Sequence, residues 1–439
     1  MHKLNRHKYL ASIAAAALSL TVVGTILPAH AASPITLTVW DEGLLGHLAN
    51  GALDTKASYI YIAAQDYKAL HPEVTVKIDE LDSGVYQAQF TAASIAKNGP
   101  DIRIGFAGGD TLSYSQYLLN LRRFFSSSEL KQITGVNTMK ANYSLTGGLY
   151  GIPFGAGSYF AVFYNKKLMA AAHIDMTTPP ATWEQFIALA KKIKATGVNP
   201  IYETNLEGYT GAWVIPALAG GLLGPNAFTD MYNSKTSINQ PAMVKAYAAY
   251  QQLYTNKITN ADATTLSDGD RMTGFVAGKG VMTINGGWSN DAMFKAMGDN
   301  VGEFPIPPLA GSRYMHILPG GTNEGISVTK YSKNQSAAVD FIKFLVSAPE
   351  EDKYVKISQS EPSNNINADA AMITNPLLKQ QAQWVAQYPQ VYPFDNIMPG
   401  NVINLYYQLN NSVSLGQTTP ASAAKQLADS FALNPPPKS

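Results

Sequence analysis

VTVKIDELDSGVYQAQFTAASIAKNGPDIRIGFAGGD, residues 74–110, changes its periodicity twice. Val74–Leu81 alternates apolar and polar residues, Tyr86–Lys97 has helical spacing, and Asp101–Phe106 is strand-like again before two glycines and an acid. A period of two marks a strand and a period of 3.6 a helix, so the stretch is one strand–helix–strand unit. Just upstream, ITLTVW (Ile35–Trp40) reads as another strand, and Asp54–His71 as a helix with an apolar face of Ala57, Ile60, Tyr61, Ala64, Tyr67 and Leu70. Alternation of this kind predicts an α/β fold with a mostly parallel sheet flanked by helices.

In open sheets of this class, ligands bind beyond the carboxyl ends of the strands. Those ends are Trp40-Asp41-Glu42, Leu81-Asp82-Ser83 and Gly108-Gly109-Asp110, which places an aromatic ring and several carboxylates on one edge. Trp40, followed by two acids and Gly43, suits ligand contact better than a core. Asp82 has the position of a helix N-cap. Asp110 stands behind two glycines, where its carboxylate can approach a ligand closely.

A second block begins with GGLYGIPFGAGSYFAVFYNKKLM (Gly147–Met169), two short apolar runs joined by a glycine-rich link. PPATWEQFIALAKKIKATG (Pro179–Gly197) is a helix with a capping box at Thr182 and Gln185, an apolar face of Phe186, Ile187, Ala190 and Ile193, and a stop at Gly197. Trp183 in its first turn reads as a core anchor. NLEGYTGAW (Asn205–Trp213) sets Glu207, Tyr209 and Trp213 around two glycines. Carboxylates accept hydrogen bonds from sugar hydroxyls, and ring faces cover the apolar C–H patch of a pyranose. In VMTINGGWSNDAMF (Val281–Phe294), Val281–Asn285 reads as a core strand and Gly286-Gly287 as a turn. Ser289 or Asn290 then caps a helix, and Trp288 is left as a ring platform. GGTNEGISVTK (Gly320–Lys330) leads into a helix over Ser336–Val346, and the chain is helical again from Pro376.

The 439 residues suffice for two or three domains. With no cysteine, the chain has no disulfide, thiol catalyst, zinc-thiolate site or lipidated N-terminal cysteine. His47, His71, His173 and His316 lack metal-ligand spacing, so neither a metal nor a cofactor is expected. SDGDRMTG (Ser267–Gly274) lacks the full spacing of a calcium loop. Gly155-Ala156-Gly157-Ser158 is neither a nucleophile elbow nor a phosphate loop. Lys3, Arg6 and Lys8, the apolar run Leu10–Leu27 and Ala29-His30-Ala31 read as a secretory signal over residues 1–31, with an uncleaved anchor as the alternative. Removing it takes three of 32 basic residues (32 − 3 = 29) against 31 acidic ones, a net charge of −2. No basic face and no nucleic-acid partner follow from that balance, and a surface with few charges suits a neutral ligand.

Taken in order, GPDIRIGFAGGD (Gly99–Asp110), LYGIPFGAGSYFAVFYNKKLM, PPATWEQF, NLEGYTGAW, GKGVMTINGGWS (Gly278–Ser289) and AAVDFIKFLVSAPEEDKY (Ala337–Tyr354) resemble the extracellular solute-binding proteins of ABC importers, in particular their sugar-binding group. The resemblance implies a type II periplasmic-binding-protein fold, with two lobes closing over a ligand in the cleft between them. It implies a first lobe of 32–157 and 313–361 and a second of 158–312 and 362–439, with crossings near 155–159, 311–314 and 359–362. Asp110, Glu207, Tyr209, Trp213 and Trp288 match its sugar contacts, and Trp40, Asp41, Asp82, Tyr159, Gly320, Gly321 and Asn323 complete the expected site.

Three departures are visible. Gly208 replaces the proline common after the family's acid, Gly286-Gly287 replaces a Gly-Pro turn, and the link Pro153–Tyr164 is longer than in maltodextrin binders. Ser158 or Tyr159 stands where those carry an acid, which opens the site to another oligosaccharide or to a monosaccharide. The implied function is non-enzymatic capture of a carbohydrate by a secreted monomer that delivers it to a membrane permease. Two readings compete with it: a secreted glycoside hydrolase using Asp110 and Glu207, and the same fold binding a polyamine, iron or a peptide.

Overall fold

The computed structural model describes residues 33–46 and 53–435, so the expected signal segment and His47 lie outside the described residues. Among the described residues, ten strands are present: β1 (Ile35–Asp41), β2 (Val74–Glu80), β3 (Ile102–Phe106), β4 (Ile152–Phe154), β5 (Ser158–Asn165), β6 (Met282–Gly286), β7 (Val301–Pro305), β8 (Leu318–Gly321), β9 (Glu324–Val328) and β10 (Gln390–Val391). They form two five-stranded sheets. One runs β2-β1-β3-β9-β4, and the other runs β10-β8-β5-β6 with β7 also pairing β5.

The strand–helix–strand reading holds for β1, β2 and β3, which are mutually parallel. The helix α1 (Tyr59–Leu70) starts later than its apolar spacing suggests, and α2 (Ser83–Ala96) ends at Lys97 in the left-handed region. Elsewhere the sheets are mixed. β9 enters the first sheet beside the carboxyl end of β3, with Glu324 opposite Phe106, and therefore runs antiparallel to it. β5 runs antiparallel to β6, β7 and β8.

Each sheet buries its own core. Leu37, Val39, Ile104, Ile326 and Phe341 belong to the first, and Trp183, Phe186, Ile215, Leu218 and Ile284 to the second. A smaller cluster of Tyr159, Phe163, Phe275, Leu318 and Trp384 gathers beside β5. Trp183 is fully buried and its indole N–H donates to the Ala249 carbonyl at 3.1 Å, the anchor role that its position suggested. Thr182 accepts the Gln185 N–H, but the returning Gln185 bond goes to the Ala181 N–H, one residue before the cap.

β8 pairs with β5 (Ser158 opposite Gly321, Tyr159 opposite Gly320), so residues 318–321 belong to the second sheet. Residues 362–375 stay with the first sheet: the Asn364 amide donates to the Pro153 carbonyl at 3.0 Å, Asn365 bridges to Ile133, and Ile373 joins the first core. Among the described residues, no helix is long and apolar enough to cross a membrane.

Candidate ligand-binding cleft

Trp288 stands at the end of a strand whose five residues are all buried, yet the ring itself is 37% exposed. It leans edge-on against Phe160 (centroids 5.8 Å apart) and Trp213 (5.4 Å), which hold it from behind. Gly286 has an ordinary φ of −104°, but a Cβ there would overlap the Trp288 ring. This glycine supplies space for the indole and not a special turn. Ser289 takes the cap position of the helix Asn290–Met297, but its side chain makes no capping bond.

Trp213, one of the expected sugar contacts, is only 6% exposed and forms a layer behind Trp288. It stacks near Tyr209 (6.3 Å, 26°) and lies 4.6 Å beneath the Arg271 guanidinium. Arg271 is buried, paired with Glu203 and Asp268, and donates to the Ile284 carbonyl at 3.0 Å and to the Thr210 hydroxyl. Asp268 of the SDGDRMTG segment thus serves an internal cation. Glu207 accepts the Asp268 N–H at 3.1 Å, which ties the Asn205–Trp213 loop to that network.

The first sheet builds a comparable wall. Trp40 is half-buried at the end of β1 and meets Phe90 edge-on at 6.5 Å. Arg103 on β3 is fully buried, and its guanidinium lies 5.4, 5.3 and 5.0 Å from the rings of Tyr86, Phe90 and Tyr114. Asp110 pairs with Arg103 and accepts the Gln87 amide at 3.3 Å, and the Glu42 carboxylate is 4.0 Å from the same guanidinium. In both walls a buried arginine lies behind aromatic rings and is neutralised by acids. One cue to Arg103 was in plain view: a single charge on an otherwise apolar strand.

The remaining expected residues divide. Asp41 is buried and accepts the backbone N–H groups of Leu44, Leu45 and Gly46, so it shapes the loop after β1. Asp82 caps α2 by accepting the Gly84 N–H at 2.8 Å. Tyr159 is 4% exposed within the cluster beside β5, whereas the neighbouring Ser158 is half-buried. Gly320 and Gly321 are engaged in pairing with β5. Asn323 accepts the Ala107 N–H through its backbone at 2.7 Å and the Asn396 amide through its side chain at 3.2 Å, so it bridges the two halves.

The C-terminal segment contributes residues that local patterns did not mark. The Tyr407 hydroxyl donates to Asp395 at 3.0 Å, and its ring meets Tyr209 at 5.1 Å. Burial pushes the Asp395 carboxyl up to about 6. Tyr392 donates to the Thr322 carbonyl at 2.9 Å, and Tyr143 donates to the Ile397 carbonyl at 2.8 Å. These bonds bring the two halves into contact beside the walls.

Residues 51–352 match the family model described as bacterial extracellular solute-binding protein. The sn-glycerol-3-phosphate-binding periplasmic protein UgpB of Agrobacterium fabrum is 22% identical over 288 residues. That alignment covers 64% of this chain and 58% of UgpB, less than two thirds of the relative's length. A solved structure from work on xylan utilization by the thermophilic bacterium Caldanaerobius polysaccharolyticus superposes with a TM-score of 0.77 at 21% identity, covering 90% of this chain and 99% of its own. A chitin oligosaccharide binding protein superposes with a TM-score of 0.75 at 22% identity, covering 90% and 98%. At such identities the structural likeness establishes the shared two-lobe fold, and the family model spans most of the sequence. The chain therefore belongs to the bacterial extracellular solute-binding proteins.

Proposed function

We propose that this protein is the exported solute-capturing component of an ABC importer and that its solute is a neutral carbohydrate. The observation that carries the reading is Trp288, an exposed ring backed by Trp213 and Phe160 at the end of a buried strand. Large aromatic surface is normally buried, and a rigid ring left open suits the apolar face of a sugar. Trp40 and Asp110 from one lobe and Glu207 and Tyr209 from the other complete the site, the acids accepting hydrogen bonds from hydroxyls. The lobes are assigned as 33–154 with 322–375, and 158–321 with 376–435.

The relatives point two ways. Xylan and chitin oligosaccharides are neutral chains, whereas sn-glycerol 3-phosphate is an anion. A phosphate calls for an available cation, but Arg103 and Arg271, the arginines behind the rings, are each already paired with acids. That favours the neutral ligand. Hydrolysis is disfavoured because Asp110 is held in an ion pair, a poor state for a general acid, and Glu207 is engaged by a backbone N–H. Binding would favour lobe closure and docking of the closed monomer on its permease. Export would use residues 1–31, with no cysteine for lipid attachment.

The test is titration calorimetry against xylo-, chito- and malto-oligosaccharides, their monosaccharides and sn-glycerol 3-phosphate. Saturable heat with a neutral sugar is the expected result. Binding of the phosphate alone, or of nothing in the panel, overturns the carbohydrate reading.

A further inference from the structure

β6, the strand that leads to Trp288, lies at the edge of its sheet: β5 pairs with one side of it, and buried backbone groups on the other side need partners elsewhere. Near the start of β6, the Met282 N–H donates to the Pro200 carbonyl and the Met282 carbonyl accepts the Tyr202 N–H, both at 2.8 Å. Two residues on, side chains take over. The Ile284 N–H donates to Glu203 at 2.8 Å, the Ile284 carbonyl accepts from Arg271 at 3.0 Å, and Glu203 and Arg271 pair with each other. Glu203 is 0% exposed and Arg271 1%. A buried ion pair thus holds both backbone groups of the residue two before Gly286.

The same pair reaches the helix Tyr209–Leu223 and the loop before it. The Thr210 hydroxyl donates to Glu203 at 2.7 Å and accepts from Arg271 at 3.0 Å. One turn on, the Trp213 ring lies 4.6 Å from the guanidinium, and Trp288 leans on Trp213. The Arg271 Nε–H donates to Asp268 at 2.8 Å, and the Asp268 N–H donates to Glu207 at 3.1 Å. An apolar pair of similar volume is often no less stable than a buried ion pair, so stability alone does not account for Glu203 and Arg271. An apolar pair, however, has no donors or acceptors for Ile284, Thr210 and Asp268, and those bonds are what join strand, helix and loop.

We propose that Glu203 and Arg271 are positioning residues for the second wall of the cleft: the pair fixes the end of β6, the first turn of the helix Tyr209–Leu223 and the Glu207 loop against one another, and so sets the tilt of Trp288 and its place relative to Glu207. Buried as they are, neither side chain meets the sugar itself. The inference rests on the Trp288 reading and deepens it, from a single ring to a ring and an acid presented as one unit. Arginine suits the role because its planar fork aims three nitrogens in fixed directions. Nη1 serves Glu203 and Ile284, Nη2 serves the Thr204 carbonyl and Thr210, and Nε serves Asp268. A lysine ammonium is one point charge on a flexible stem and cannot serve all of these at once.

With five tryptophans in the chain, ring positions can be followed without ligand. In 5-fluorotryptophan-labelled protein, fluorine NMR gives a resonance for each ring, and the one lost in Trp288→Phe assigns the platform. Arg271→Lys keeps a charge opposite Glu203, whereas Glu203→Gln combined with Arg271→Met removes both charges and leaves neither buried alone. In each variant the Trp288 resonance should shift or broaden, while that of Trp183, buried in the same core and bonded to Ala249, stays in place. Calorimetry against xylotriose, chitotriose and maltotriose should show Kd rising about tenfold for each sugar that the parent protein binds. Circular dichroism checks folding, and if the charge-free variant does not fold, Arg271→Lys decides. An unmoved Trp288 resonance in a folded variant, or Kd within about twofold of the parent, overturns the positioning role. Lower urea stability with both readouts unchanged is the mark of a purely structural pair. If none of the three sugars binds the parent, that counts against the carbohydrate reading, while the ring resonances still decide this one.

Discussion

Trp288→Ala removes the ring that the carbohydrate reading depends on, and the structure sets the size of the effect. The side chain is 37% exposed. Taking roughly 220 Å² for a tryptophan side chain, about 80 Å² is left for a ligand to cover, worth about 2 kcal/mol at about 25 cal/mol per Å². Kd for the tightest-binding sugar of the panel should rise about 30-fold. The rest of the ring lies against Trp213 and Phe160, so the ligand-free protein should also lose stability, on the order of 2–4 kcal/mol. Titration calorimetry gives the first quantity and urea unfolding the second. Trp213→Phe is the counterpart: that ring is 6% exposed, so its replacement should lower stability and change Kd by no more than a few-fold. A Trp288→Ala protein with native circular dichroism and Kd within about twofold of the parent, a difference of about 0.4 kcal/mol, would refute the platform.

Other outcomes follow from the same geometry. Gly286→Ala introduces no backbone strain at φ −104° but drives a Cβ into the indole, so calorimetry should show sugar affinity falling nearly as far as in Trp288→Ala. Asp110→Asn leaves the fully buried Arg103 with Glu42 at 4.0 Å as its nearest acid; urea unfolding should show a loss of about 3 kcal/mol, together with weaker binding. Unchanged stability would mean that the ion pair is not maintained in solution. Glu303 is buried beside Gln381 and its carboxyl is pushed up to about 8. Because the folded state holds that proton more tightly, its contribution is full below the ordinary 4.5 and falls as pH rises to about 8, by about 1.4 kcal/mol per unit. Glu303→Gln should flatten that part of the stability profile, and an identical slope in the variant would contradict the assignment.

Local pattern carried much of this molecule. The period-two runs at Ile35, Val74 and Asp101 became β1, β2 and β3, and the Thr182 cap and buried Trp183 appear as their spacing suggests. The reading weakened where a residue's role is set by a distant partner. Trp213 and Trp288 are both tryptophans beside glycines, yet one is a buried support and the other an exposed ring, because the helix Tyr209–Leu223 packs its tryptophan under Arg271. Asp41 and Asp110 both follow strands, but one closes its own loop and the other meets a buried arginine. Tyr159 looks free in the link and is buried by its pairing with β8.

By itself the sequence determined the α/β class, the absence of thiol chemistry and, as an expectation, the export signal. These properties live in composition and in periodicities of two and 3.6 residues, which neighbouring residues encode. Tertiary structure alone decided which acids are neutralised and which tryptophan is open. Arg271 meets Glu203 across 68 positions and Gly157 meets Glu361 across 204, separations over which no local periodicity carries information.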